Sequence, residues 1–110
     1  MKKIIIHGGC GAREDKNTSF VDYHEHLLPI IEKSYDVLNE TDNSRVAAIF
    51  AAKMLEDDDV FNAGTGSRLQ QDGQVRMSAS IMDSHDKKFA GVINIQNIKN
   101  PIDVADKLSK

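Results

Sequence analysis

Residues 55–83 read LEDDDVFNAGTGSRLQQDGQVRMSASIMD, setting four consecutive acids, a glycine-studded turn and an alternating strand in one fixed order. No other stretch constrains the fold as much. Glu56, Asp57, Asp58 and Asp59 are too costly to bury without partners. Phe61-Asn62-Ala63-Gly64-Thr65-Gly66-Ser67 has the small residues that a tightly folded loop needs where other backbone comes close. Another segment must therefore pack against that loop.

The flanking sequence supplies candidates. A β-branched run over 3–7, closed by glycine, predicts a buried first strand. Tyr23, Leu27, Ile30, Ile31, Val37 and Leu38 fall at helical spacing over 20–40, with Thr18 or Ser19 able to cap the start and Pro29 expected to bend the helix. Thr41-Asp42-Asn43 breaks it. Ser44 is the expected cap of a second helix carrying Val46, Ile49, Phe50 and Met54 on one face. That helix ends in the acid run, against the negative end of its own dipole, which is a reason to expect a bound cation. Beyond the loop, Asp72-Gly73 marks a turn. Val75, Met77, Ala79 and Ile81 then alternate with Arg76, Ser78, Ser80 and Met82 in a half-buried strand, with Met77 and Met82 assigned to its core. A second strand over 89–95, with Phe89, Gly91, Ile93 and Ile95 on one face, predicts an antiparallel hairpin. Asn100-Pro101 caps and opens a last helix over 102–108. The order is that of a single α/β (α+β) unit without repeats or interdomain linker.

Charge and cysteine usage narrow the function. Seventeen acids against fourteen bases in 110 residues give a formal charge of -3, so a nucleic-acid footprint is not expected. The apolar run after Lys3 is too short for a signal peptide, and no stretch is long enough to span a membrane. Cys10 is the single cysteine, so no internal disulfide can form, which fits a reducing compartment and a cytoplasmic protein.

His7-Gly8-Gly9-Cys10-Gly11 reads either as a tight turn or as a loop whose backbone N–H groups line a pocket. The G-x-S-x-G elbow is missing, and no Gly-Lys-Ser/Thr follows the glycines, so neither a serine hydrolase nor a phosphate loop is indicated. The acid run reads as a solvated face or as a cation neighbourhood, but not as an EF-hand, whose alternating ligands and closing glutamate are missing. Asn62 is a turn residue or an ordering amide. His24 and His26 stand two apart on a helix and cannot share a ligand, and Ser67 and Ser80 have no histidine–aspartate constellation beside them.

Three ordered motifs, 55–83, Ile6-His7-Gly8-Gly9-Cys10-Gly11-Ala12, and Asn94-Ile95-Gln96-Asn97-Ile98-Lys99-Asn100-Pro101-Ile102, resemble the L-asparaginase/isoaspartyl peptidase family of plant-type hydrolases with an N-terminal threonine nucleophile. The resemblance implies that 1–110 is the N-terminal part of one four-layered αββα sandwich. It implies a precursor that cleaves itself, freeing a threonine as nucleophile with its own amine as base. The activity implied is hydrolysis of the side-chain amide of L-asparagine and of isoaspartyl (β-aspartyl) peptides. By the same resemblance no catalytic residue lies in 1–110, no catalytic cofactor is needed, and His7, Gly8, Gly9, Gly11 and Asn62 support an active site completed by the C-terminal half of the precursor, commonly in a dimer of heterodimers. A structural sodium ion would sit on the main-chain carbonyls of Leu55, Glu56, Asp58, Phe61, Ala63 and Thr65. Ser78 stands where the family usually has an acid, Ser84 where it has glycine, and Cys10 where it often has alanine. Two other readings stand beside this one: an inactive remnant acting as a binding module, and a glycosylasparaginase-like amidase, which FNAGTGS fits less well.

Overall fold

The computed structural model describes residues 1–11 and 19–110. Ser19 opens helix α1 (Phe20–Thr41) through a capping box: its Oγ accepts the Asp22 N–H, and Asp22 accepts the Ser19 N–H at 2.6 Å. Of the two expected caps, Thr18 lies outside the described residues. The helix runs through Pro29, which is exposed, so it does not start there. Ile30, Ser34 and Leu38 are its buried residues, four apart and hence on one stripe. Ser34 is fully covered and satisfies its hydroxyl by donating to the Ile30 carbonyl at 2.6 Å.

Asp42 ends α1 in a left-handed conformation, and Asn43, not Ser44, caps helix α2 (Ser44–Asp57). Asn43 has the extended backbone a cap requires, and its Oδ1 accepts the Val46 N–H at 3.1 Å, whereas Ser44 is already helical. The buried side of α2 is Ala47, Ala51 and Glu56; Val46 faces solvent and Ile49 is partly buried, so the expected apolar stripe is rotated. Small residues there let other chain come close. Leu38, Ala47, Ala51 and Leu55 line one crevice with Ile4 and Ile6.

The expected first strand is not formed. Residues 3–7 alternate in exposure, Ile4 and Ile6 half-buried and Ile5 outward, as an extended segment does when one side lies on helices. A strand also needs a neighbour to complete its ladder. Among the described residues the sheet has two strands, β1 (Met77–Asp83) and β2 (Lys88–Ile95), paired antiparallel as expected.

Ile81 sits opposite Ala90 and Ala79 opposite Val92, and these point inward; Met82 sits opposite Phe89 and points outward. Between Met77 and Ala79 the register slips by a bulge, so that Ile95 rather than Asn94 pairs with Met77. Asn94 takes a left-handed conformation there, and the Ser78 hydroxyl accepts its N–H at 3.2 Å. The extra residue carries Ile95 to the inner face. Phe89, Gly91 and Ile93 thus keep the expected common face, Ile95 leaves it, and Met82, 80% exposed, is not core.

Helix α3 (Pro101–Ser109) starts with Pro at its first turn, as expected. Ile102 and Ala105 cover the inner sheet face with Ile81 and Ala90, and Ile49 and Ala52 of α2 pack against this core. Arg45 ties the same elements by charge: it donates to Asp106 of α3 at 2.7 Å, to Asp83 at the end of β1 at 3.3 Å, and to Ser109. The molecule is therefore a helix-and-sheet unit of α/β type, built on one small antiparallel sheet.

Candidate functional site

The acid run emerges from α2 with three of its four carboxylates, those of Glu56, Asp57 and Asp58, already engaged. Buried Glu56 reaches α3, accepting from Asn100 at 2.9 Å and from the Ile102 N–H at 3.0 Å. Asp57 accepts from Asn100 at 3.0 Å and lies 3.8 Å from the Lys99 ammonium. Asp58 meets His26 Nδ1 of α1 at 2.7 Å with one oxygen and accepts the Val60 N–H at 2.9 Å with the other. The run is neither a free solvated face nor a carboxylate cage, and among the described residues no group of three or more His, Cys, Asp or Glu is placed to hold a metal ion.

After these acids the chain folds back tightly through a single 3-10 turn (Gly64–Gly66). Gly64 has φ +51°, and a Cβ there would collide with the Glu56 carbonyl; a Cβ at Gly66 would collide with the carbonyls of Phe61 and Asp59. The glycines of FNAGTGS are thus demanded by backbone oxygens lying against them, which is the close approach that the composition implied. Phe61 O and Ala63 O also accept N–H groups from Ala63 at 2.8 Å and Gly66 at 3.0 Å. Of the six carbonyls expected to bind sodium, those of Glu56 and Phe61 lie directly against Gly64 and Gly66.

Phe61 is 3% exposed and joins this loop to the other glycine motif. A Cβ on Gly8 would stand 2.8 Å from Phe61 Cε1 and 3.5 Å from Leu27 Cδ2, so only glycine lets 7–11 lie on that ring. Tyr23 and His26 of α1 complete its surroundings, at ring separations of 6.4 and 6.5 Å, the histidine edge-on. Above Phe61 opens a cleft of about 890 Å³ lined by His7, Gly8, Gly9, Gly11 and Asn62 together with Tyr23, His24 and Arg68. All five residues expected to support an active site are brought to this one cavity.

Their details are informative. Gly9, at φ +112°, donates its N–H to His7 Nδ1 at 3.0 Å, so this donor is spent within the loop rather than offered to a ligand. The acceptor role puts the proton of a neutral His7 ring on Nε2. Asn62 uses Oδ1 to accept the Arg68 N–H at 3.0 Å, bracing the loop across six residues. That bond leaves its amide nitrogen out of the brace. His24 borders the cleft while His26 turns to Asp58, confirming that the two histidines do not converge. Sequence reasoning missed the part of His26, because nothing in a histidine on an amphipathic helix signals which loop will lie beside it.

Comparison with known proteins fits this geometry. The model of the family described as asparaginase matches residues 1–110. The chain is 45% identical over 106 residues to an isoaspartyl peptidase/L-asparaginase of Nostoc sp., covering 96% of this chain and 33% of that protein. It is 37% identical over 102 residues to the isoaspartyl peptidase/L-asparaginase of Homo sapiens, covering 93% of this chain and 33% of that protein. With a plant-type L-asparaginase of Pyrococcus horikoshii the identity is 36% over 114 residues, with 98% and 35% covered. The chain thus spans about a third of the length of the curated relatives it matches. The family match over 1–110 and identity of this order over nearly the whole chain show that the chain belongs to the asparaginase family.

Proposed function

We propose that this chain is the N-terminal part of an asparaginase/isoaspartyl peptidase, a hydrolase of the L-asparagine side-chain amide and of β-aspartyl peptides. The observation that carries the reading is the convergence of His7, Gly8, Gly9, Gly11 and Asn62 on one cleft over Phe61. Amide hydrolysis needs a nucleophile, a base and oxyanion donors within reach of one another, and the described residues around this cleft do not supply that set. The threonine nucleophile, freed by self-cleavage and using its own amine as base, would come from the following two-thirds of the polypeptide, whose second sheet would lie on the outward face of β1 and β2 to make the four-layered sandwich. The chain's own residues would hold that threonine's neighbourhood: Asn62 through its free amide nitrogen, and 7–11 by walling the cleft. A sodium ion on the carbonyls of Leu55, Glu56, Asp58, Phe61, Ala63 and Thr65 would stiffen the acid turn without entering the chemistry. Support for it is the tight turn itself, which brings the Glu56 and Phe61 carbonyls against Gly64 and Gly66. The working protein would be a cytoplasmic homo-oligomer of processed pairs.

The test is expression of the protein that carries this chain from its complete gene, followed by assay with L-asparagine and a β-aspartyl dipeptide. Release of ammonia or aspartate, with appearance of a second fragment whose first residue is threonine, is expected. An uncleaved product that hydrolyses neither would favour the inactive-remnant alternative.

A further inference from the structure

We propose that His26, which lies outside all three motifs, is a positioning residue for this cleft. It acts through Asp58 and Phe61, and the proposal rests on the amidase reading above. His26 is the residue of α1 that reaches both of them: its Nδ1 stands 2.7 Å from Asp58 Oδ2, and its ring meets Phe61 edge-on at 6.5 Å. An imidazole N–H donated to a carboxylate is a charge-assisted bond, and the Asp58 side chain, 18% exposed, is shielded enough for the bond to matter. The other Asp58 oxygen accepts the Val60 N–H, so the bond from His26 fixes the turn that delivers Phe61 and then Asn62. Phe61 in turn carries Gly8, and with it the wall formed by 7–11. One side chain on α1 therefore sets both halves of the cleft lining. An exposed ion pair contributes little as a rule. Here the same two groups are also turn acceptor and ring neighbour, so loosening them moves the residues that face the substrate.

The experiment uses the protein expressed from its complete gene and four variants: His26→Leu, which keeps bulk against Phe61 but loses the donor; Asp58→Asn; the double variant; and His26→Asn, whose amide N–H can replace Nδ1–H. Hydrogen exchange resolved by peptide and steady-state kinetics are measured on each. His26→Leu and Asp58→Asn are expected to speed exchange of 58–63 and 7–11 and lower kcat, each by about three- to tenfold with KM little changed, since the loss is of order rather than of substrate contact. The double variant is expected to be no worse than either single one, because both remove the same contact. His26→Asn is expected to recover most of the loss. Unchanged exchange in 58–63, additive losses, an equal rise of exchange in α3 and the sheet, or faster exchange with unaltered kcat would each overturn the proposal. If the wild-type protein hydrolyses neither substrate, the amidase reading fails on its own, and the exchange pattern alone decides the positioning role of His26.

Discussion

Glu56, at the end of α2, accepts the backbone N–H of Ile102 at 3.0 Å and so caps α3 from 46 residues away. The expected cap, Asn100, makes no capping bond with its side chain, which instead donates to the same carboxylate at 2.9 Å. Removing the carboxylate would strand the buried Ile102 N–H and leave the Asn100 amide with Asp57 alone. Glu56→Ala is therefore expected to destabilise the fold by about 2 to 3 kcal/mol at neutral pH, in the range of a lost cap plus a buried unsatisfied donor. Urea denaturation checks this, and a change below the usual surface scatter would show that water replaces the cap.

The same group gives a pH signature. Burial pushes the Glu56 carboxyl above its ordinary 4.5, against the Asn100 and Ile102 hydrogen bonds that pull it down. An acid whose folded value is raised contributes stability that is fully present below its unfolded value and lost as pH rises through the folded one. Asp106 is held low chiefly by the Arg45 hydrogen bond, and Asp83 chiefly by the His85 N–H, so their contributions run oppositely, present above the ordinary 3.8 and lost on acidification. Those terms are common to wild type and Glu56→Gln and cancel in the difference. The stability advantage of wild type over Glu56→Gln is thus expected to be greatest below about pH 4.5 and to shrink toward neutrality. Denaturation series across that range read it directly; an advantage that grows with pH would reverse the assigned direction.

These two residues also mark where the sequence was legible. Helices, hairpin and last helix were readable because their signals are local: Ser19 with Asp22, the alternation through Ile81, and Pro101 at a helix start. The site was legible through family motifs, whose glycines answer to particular carbonyls and one ring. What failed depended on distant partners. Residues 3–7 have strand composition but, among the described residues, no neighbouring strand, and β2 was misread at Ile95 because a bulge at Asn94, braced by Ser78, shifts parity by one residue. Ser78 supplies the oxygen that braces this bulge. A cap supplied by Glu56 and a brace supplied by His26 have no sequence-local mark at all.

Two glycines in left-handed backbone provide a controlled comparison. Gly64 and Gly73 have φ +51° and +77°, but a Cβ on Gly64 would strike the Glu56 carbonyl whereas one on Gly73 would meet nothing within 4 Å. Gly73→Ala is expected to cost only the backbone term, about 1 to 2 kcal/mol. Gly64→Ala adds a collision that the turn can relieve only by opening, and should cost on the order of 3 kcal/mol or more. Equal thermal shifts in the two variants would mean that the acid turn is looser than its carbonyl packing indicates.

Asn62 carries the clearest catalytic forecast. Its Oδ1 holds the loop through Arg68 N–H, and the residue lines the cleft. In the protein expressed from its complete gene, Asn62→Ala is expected to slow self-cleavage or turnover by about tenfold to a hundredfold, the equivalent of one or two buried hydrogen bonds. Asn62→Asp, which keeps the acceptor but not the donor, should retain the loop brace and still lose rate. Unchanged processing and turnover in Asn62→Ala would remove this residue from the site.

The outward face of the sheet sets the behaviour of 1–110 by itself. The inner face, with Ala79 and Ile81, is covered by α3, so the apolar side left bare is the one bearing Met82, Phe89 and Ile93, at 80%, 68% and 79% exposure. Met82 and Phe89 are cross-strand partners, which makes them one continuous patch. Burying such a side chain gains about 1.5 to 3 kcal/mol each, enough in sum to drive association at micromolar concentration. The isolated chain is expected to self-associate with rising concentration and to bind an apolar-surface dye. Phe89→Lys should reduce both while leaving the unfolding midpoint nearly unchanged, since the ring already stands in water. Ala90→Lys, one residue along and 8% exposed, should instead unfold the chain by forcing a charge against Ile81 and Ile102. Sedimentation velocity with parallel dye titration decides the matter: a dye-silent monomer at high concentration would show that the outward face is not sticky, and with it would fall the argument that this face awaits a second sheet.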